Sequence, residues 1–377
     1  YIDINDILDK NQYGFRPNLS TLDAVSHFYE TLLNRINNDE HPIALFCDLS
    51  KAFDCINHGK LMEKIGHYGI RGVAQEWLQS FLDERSQYVS IKYLNVEKNS
   101  VYNVNSDTLT TTMGVPQGSV LGPILFVLYI NDLFKNVGPD THLTLYADDT
   151  TLLISDKDPT KMQRICNEAT HTMLNWFRAN SLYLNQNKTK YLRFHLKNIQ
   201  FDLDNITLSL NNNNISRDDN VNFLGLAIDD NMCWYTQCEK LTNKLSKTCF
   251  LIRNIRSVFD IGHLLMIYYA QVESQLRYGI CIWGSSSSLQ KVFLLQKRIV
   301  RVMVGVSQRQ SCKVYFTELG ILTLPSLYVY ECCTYVHKSR DKFIKNYEIH
   351  DKNTRQKNLF HVPFKKKTIC KNCLYQV

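Results

Sequence analysis

No stretch of the 377-residue sequence comes near the roughly 18 consecutive apolar residues of a membrane-spanning helix. The longest apolar runs, such as 124–130, are far shorter and lie between polar residues. The chain opens Tyr-Ile-Asp-Ile-Asn-Asp, with no initiator methionine, no basic region and no signal-peptide core. It therefore reads as an excised portion of something longer, and as unsecreted. Charge of one sign is scarce: 43 Lys and Arg against 36 Asp and Glu leave +7, which permits a polyanionic partner without requiring one. No internal repeat is evident. A disulfide framework is missing as well. The 12 cysteines are scattered, and several fall inside apolar runs (Cys47 in Ile-Ala-Leu-Phe-Cys, Cys281 in Gly-Ile-Cys-Ile-Trp), as reduced core thiols do. The pair Cys370-x-x-Cys373 has only His361 close upstream, whereas a closed zinc site needs four ligands; the tail reads as a disordered end.

What is present is ample apolar material. Hydrophobic residues make up 44% of the chain, with 21 Tyr and 18 Phe, which excludes a disordered protein and fits two or three domains. After a polar loop, Ser20 and Asp23 form an acidic capping box for a helix whose apolar face is Leu22, Val25, Phe28 or Tyr29, Leu32 and Ile36. The run from Ile43 to Cys47 is continuously apolar and reads as a strand buried on both faces. Residues 58–82 read as helical with a break near Gly69 and Gly72, 88–112 as β-rich, and Pro123 as the start of an apolar helix over 124–133. Residues 143–147 and 150–154 read as two strands joined by the two-residue turn Asp148-Asp149. An amphipathic helix covers Met162 to Phe177. Strand-like segments follow at 191–194 and 222–225, with the Asn-rich 211–214 as a loop between them, and helices dominate from about 235. Between 240 and 310 stand Lys240, Lys244, Lys247, Arg253, Arg256, Arg277, Lys291, Lys297, Arg298, Arg301 and Arg309 against Asp260 and Glu273. A basic bias shared by several helices favours a phosphate-tracking surface over a merely solvated face.

The acidic residues are the ones a stable fold would not choose. Asp48 closes an apolar strand, and Asp148 and Asp149 stand together between two others. A turn holds one Asp by local hydrogen bonding, but adjacent carboxylates between buried strands repel unless a cation compensates them. Hard carboxylate oxygens without a His or Cys cluster suit Mg²⁺, with two ions, or Mn²⁺ as a substitute, bridged by such carboxylates to activate a hydroxyl and stabilise a leaving pyrophosphate.

Tyr146-Ala-Asp-Asp149 resembles the signature hairpin of reverse transcriptases, and it stands in order with further motifs. Asn11-Gln-Tyr-Gly-Phe-Arg-Pro17 followed by Ser20-Thr-Leu-Asp-Ala24 resembles the fingers motif of that family. Phe46-Cys-Asp-Leu-Ser-Lys-Ala-Phe-Asp-Cys-Ile-Asn-His58 resembles the palm motif with its first catalytic aspartate. Gly114-Val-Pro-Gln-Gly-Ser-Val-Leu-Gly-Pro-Ile-Leu-Phe126 resembles the segment that cradles template and nucleotide, and Leu182 to Thr189 and Phe223-Leu-Gly225 resemble the two later palm motifs. The wording of these motifs, with Tyr278 to Gly284 and Leu295 to Arg298 beyond them, is similar to non-LTR (LINE-type, jockey-like) retrotransposon enzymes of insect type.

The resemblance implies an α+β right-hand polymerase. Partial fingers would cover 1–42, a palm with an antiparallel sheet and interleaved fingers elements 43–230, a basic helical thumb 231–310, and an extension with a mobile tail 311–377. It implies an RNA template, a DNA primer and deoxynucleoside triphosphates as partners, no membrane, and an upstream endonuclease domain in the full-length protein. It also implies a nuclear site of action with a cytoplasmic ribonucleoprotein stage. Asp48 and Asp148 match the main metal ligands, Asp149 a lesser one, and the Leu49 carbonyl would complete the site. Phe53 matches the steric gate against a 2′-hydroxyl, or packs in the core. Gln117 and Gly118 would meet nucleotide and template. Arg16 contacts the triphosphate or braces the fingers, Lys188 is the general acid for pyrophosphate or an exposed neighbour of Lys190, and Tyr146 packs near the primer end or is structural. His58 and His67 cap or pack helices. The rivals are a maturase-like or telomerase-like polymerase of the same layout and a fragment that binds nucleic acid without polymerising. Phe53 stands against an RNA-dependent RNA polymerase.

Overall fold

The computed structural model describes residues 1–96, 99–136, 138, 141–195, 206–210, 213–349, 351 and 355–361. The basic run at Lys365 and the pair Cys370 and Cys373 lie outside the described residues.

The apolar run becomes β1 (His41–Cys47), with Pro42 to Cys47 buried. Side chains alternate across a strand, so Ile43, Leu45 and Cys47 enter one core while Ala44 and Phe46 enter another. β1 is central in a five-stranded sheet. β6 (Thr141–Tyr146) and β7 (Asp149–Asp156) form a hairpin on one side, and β8 (Lys190–Arg193) and β11 (Ser216–Arg217) continue it on the other. Both neighbours of β1 run antiparallel to it, with Cys47 opposite Thr150 and Ile43 opposite Arg193.

One face of the sheet is covered by α2 (His58–His67), α3 (Val73–Leu82), α4 (Leu121–Ile130) and α5 (Pro159–Ala179). The other face receives α1 (Thr21–Asn37), which begins on the expected capping box: Ser20 Oγ accepts from Asp23 N and the Asp23 carboxylate from Ser20 N. Phe28 on this helix packs edge-on against Phe46 and Phe223, with ring centroids 5.9 and 5.2 Å away. The same apolar cluster continues without interruption through β12 (Asn220–Phe223) and β13 (Leu226–Asp229) into α6 (Tyr235–Ile255), α7 (Ile261–Tyr268), α10 (Leu289–Val304) and α12 (Leu324–Lys338). Sheet and helical region are therefore welded through α1.

Three elements depart from expectation. The apolar helix starts at Leu121, two residues before Pro123, because Ser119 Oγ accepts from Gly122 N at 3.0 Å and fixes the first turn. Pro123 still sits where a helical N–H has no partner, and the helix ends at Ile130 in a 3₁₀ turn over Asn131–Asn136. The loop expected at 211–214 contains a short strand, Asn213–Asn214, paired with Ser209–Leu210; residues 211 and 212 are outside the described set. The hairpin turn is shifted by one residue: Asp149 pairs with Tyr146, so Ala147-Asp148 makes the turn.

Candidate active site

β1, β6 and β7 end together, and this is what gathers the carboxylates. Cys47 pairs with Thr150, so the next residue of β1, Asp48, comes level with Asp149, and Asp148 occupies the adjoining turn. Asp48 and Asp148 are half-buried, whereas Asp149 is exposed. Their mutual charge is felt. Partial burial raises the Asp148 carboxyl above the ordinary aspartate range, opposed by its own backbone N–H and assisted by Asp48. Crowding by the protein, then the charges of Asp148 and Asp48, push Asp149 up to about 6.

The segment after β1 is bracketed by a second loop. Asn185 N donates to Asp48 O and Ser50 N to Tyr183 O, both at 2.8 Å, and Leu49 bridges Leu184. These backbone bonds leave the Leu49 carbonyl out of the bridge. The loop carries Lys188, whose Nζ lies 3.7 Å from Asp48 Oδ2 with both side chains partly in water. Lys190 is committed elsewhere, to Asp218. Geometry thus separates the two lysines that sequence left as neighbours.

Lys51 takes a left-handed conformation (φ 48°) and lets the chain fold into a 3₁₀ turn over Ala52–Cys55. Phe53 on that turn is half-buried and stacks on Phe126, centroids 4.6 Å apart at 27°. The Gly114 to Gly118 loop is clipped beneath it: Gly114 N donates to Ile56 O, Val115 N to Phe53 O, and Gln117 Nε2 to Asp54 Oδ1 at 3.0 Å. Gly114 is required by contact, since a Cβ there would lie 2.8 Å from Asp54 O; Gly118 (φ +80°) faces open space. His58 Nε2 bonds Gly114 O, tying its helix to that loop, while the exposed His67 Nδ1 bonds Glu63 O one turn back on its own helix.

The N-terminal motif lies at the hairpin itself. Tyr13 N donates to Leu145 O and Leu145 N to Asn11 O, adding residues 11–13 as a short parallel strand on the free edge of β6. The Arg16 guanidinium donates to Asp9 O at 2.8 Å and Gln12 O at 3.4 Å, a bracing arrangement. Tyr146 is half-buried opposite Asp149. Gln12 went unnoticed in the sequence as a site residue. It is wholly buried, and its side-chain oxygen reaches Ala147 N.

Asp48, Asp148 and Asp149 supply hard carboxylate oxygens of the kind that suit a divalent ion such as Mg²⁺, which would offset the neighbouring charge that helps raise Asp148 and Asp149. Among the described residues no group of three or more His, Cys, Asp or Glu side chains already stands close enough to hold a metal ion. No described helix is long and apolar enough to cross a membrane.

Comparison with known proteins adds an independent line. A family model described as "Reverse transcriptase (RNA-dependent DNA polymerase)" matches residues 2–228. The probable RNA-directed DNA polymerase from transposon BS of Drosophila melanogaster is 27% identical over 79% of this chain and 33% of its own length. The RNA-directed DNA polymerase from mobile element jockey of the same species is 25% identical over 80% and 33%. The chain thus spans about a third of the length of these relatives. Among solved structures, telomerase from Candida albicans in complex with a fragment of telomeric RNA superposes with a TM-score of 0.42 at 12% identity, covering 84% of this chain and 54% of that one.

Proposed function

Because the chain belongs to the reverse transcriptase (RNA-dependent DNA polymerase) family, we propose that it extends a DNA primer on an RNA template by nucleotidyl transfer at the Asp48–Asp148–Asp149 end of its sheet. The observation that carries this reading is the convergence of Asp48, Asp148 and Asp149 at one end of the sheet, with burial and then neighbouring carboxylate charge raising Asp148 and Asp149. Asp48 and Asp148, with Asp149 in a lesser part and the Leu49 carbonyl beside them, would hold two Mg²⁺ or Mn²⁺ ions. Such ions, when bound, lower the charge cost of attack by the primer 3′-hydroxyl and of pyrophosphate departure.

The other residues divide the remaining work. Lys188 stands beside Asp48 and could deliver a proton or a positive charge to the leaving group. An exposed ion pair of this kind adds little to stability, which favours a chemical use for it. Phe53, stiffened by its stack on Phe126, would exclude a 2′-hydroxyl from the sugar site. The open space at Gly118 and the exposed Gln117 next to it would admit template and nucleotide. In this reading the sheet with its covering helices is the palm, and residues 1–42 contribute fingers elements. The helices from 231 form the thumb, 311 onward extends it, and specificity rests in base pairing.

The test is primer extension on an RNA template with deoxynucleoside triphosphates and Mg²⁺, comparing the chain with Asp148→Asn. Extension by the parent and a loss of at least about 100-fold in the mutant is expected. Salt-sensitive duplex binding without extension by either protein would instead mark a chain that grips nucleic acid and does not polymerise.

A further inference from the structure

The turn that presents Asp148 is awkward for its own sequence. Ala147 has a left-handed backbone (φ 54°), a conformation that costs a non-glycine residue about 1 kcal/mol or more, and it is buried. Its N–H points away from the hairpin ladder, which closes at Tyr146 and Asp149. A buried N–H without an acceptor is costly. Here the acceptor comes from 135 residues away: Gln12 Oε1, 3.3 Å from Ala147 N.

Everything around Gln12 fixes that oxygen. The residue is 0% exposed. The same Oε1 accepts from Gly14 N at 2.8 Å, and two N–H donors on one atom settle which end of the amide is oxygen. The backbone on either side is clipped to Leu145, and Arg16 draws the Asp9 and Gln12 carbonyls together. Gly14 permits the approach, since a Cβ there would fall 2.2 Å from Ala147 N. Gln12 Nε2, by contrast, is buried with no partner. The side chain's contribution is its acceptor, and the amide nitrogen is left over. On the far side of the turn, Thr150 Oγ1 donates to Asp148 O at 3.3 Å, so the aspartate's backbone is held from both directions.

We propose that Gln12 is a positioning residue for the reaction, its side-chain oxygen clamping Ala147 so that the Asp148 carboxylate is aimed at the reacting centre. This rests on the polymerase reading above. Gln12 touches no substrate; it acts through Asp148. Misplacing a catalytic group by a fraction of an ångström lowers the rate of the chemical step while leaving substrate affinity largely alone.

The experiment pairs two variants of the full chain. Gln12→Met fills the same space without an acceptor. Gln12→Glu keeps one, because a carboxyl presents an oxygen to the two N–H donors whether or not it is protonated. Two readouts are taken, steady-state primer extension and amide hydrogen exchange across 143–154. The expected result is a kcat about 10- to 100-fold lower for Gln12→Met with KM for the nucleotide within about twofold, and substantial recovery in Gln12→Glu. Exchange at Ala147 and Asp148 should quicken in Gln12→Met while Leu152 and Ile154 stay protected. A lowered melting temperature with unchanged kcat per folded molecule would overturn the proposal, leaving Gln12 as core packing. So would rapid exchange of the Ala147 amide in the parent, a measurement that needs no variant to fold. If the parent extends no primer, the polymerase reading is at fault, and slow or rapid exchange at Ala147 still decides whether the clamp exists.

Discussion

Beside Asp148 and Asp48 at one end of the sheet, the Asp149 carboxyl is pushed up to about 6, first by crowding and then by the charges of those two aspartates. The folded chain binds this proton more tightly than the unfolded chain, where an aspartate titrates near about 4. Stability from this group is therefore fully present below about 4 and is lost as the pH rises through about 6. In EDTA, the melting temperature of the parent should fall between about pH 4 and pH 6 more than that of Asp149→Asn. Mg²⁺ at about pH 7 should raise the melting temperature of the parent, and that of the variant by less, since Asp48 and Asp148 remain in it to hold an ion. Equal slopes in circular-dichroism melts would show that some other group carries the titration. The three aspartates were legible in the sequence because each ends or interrupts an apolar run, where a carboxylate needs a reason. Gln12 was not, because its role exists only across 135 residues, between a side chain and a backbone N–H whose exposure depends on an alanine adopting positive φ. The lysines were half legible: Lys188 and Lys190 look alike in sequence, and only the fold sends one to Asp48 and the other to Asp218.

Elements with strong period were read closely. β1, α1 and α5 stand within about three residues of their expected bounds, because an apolar run or helical spacing coincides with burial. Those without period were misplaced: α4 is buried on nearly every side, so its start is set by the Ser119 hydroxyl rather than by an apolar stripe. The shifted hairpin turn has the same origin, since nothing in an alanine announces a left-handed backbone. The capping box of α1 has consequences beyond that helix. α1 delivers Phe28 to the sheet, and its His27 bonds the Tyr13 hydroxyl on the segment that carries Gln12. Ser20→Ala removes the acceptor for Asp23 N and should cost about 1 kcal/mol. Urea unfolding should show a lower midpoint at an unchanged slope. A loss within error would mean that packing of Phe28 and Leu32 alone sets the helix start.

The apolar cluster that joins α1 to the helices as far as Leu327 also orients their charges, because whatever is not buried against it faces outward. On α6, Leu241, Leu245, Cys249 and Ile252 go inward, which leaves Lys240, Lys244 and Lys247 exposed on the opposite side at spacings of four and three. Lys291 and Arg298 are exposed on α10, the helix packed against α6. Not every cation counted in the sequence belongs to this surface. Arg277 is taken up by Glu273 and Glu331, and Arg301 donates to the Gln310 carbonyl. If the remaining cations track a nucleic-acid backbone, each neutralised phosphate releases condensed counterions, and affinity falls with salt in proportion to the contacts made. Replacing Lys240, Lys244 and Lys247 together by Ala should then weaken RNA–DNA duplex binding at about 0.1 M salt and flatten the slope of log K against log salt by roughly 2 to 3. Stability should hardly change, since exposed lysines on a helix contribute within about 0.5 kcal/mol. Fluorescence anisotropy across a salt series measures both quantities on the same samples. An unchanged slope would place the duplex on another face and reduce these lysines to solvation, whereas a flattened slope with extension still dependent on Asp148 would separate grip from chemistry within one chain.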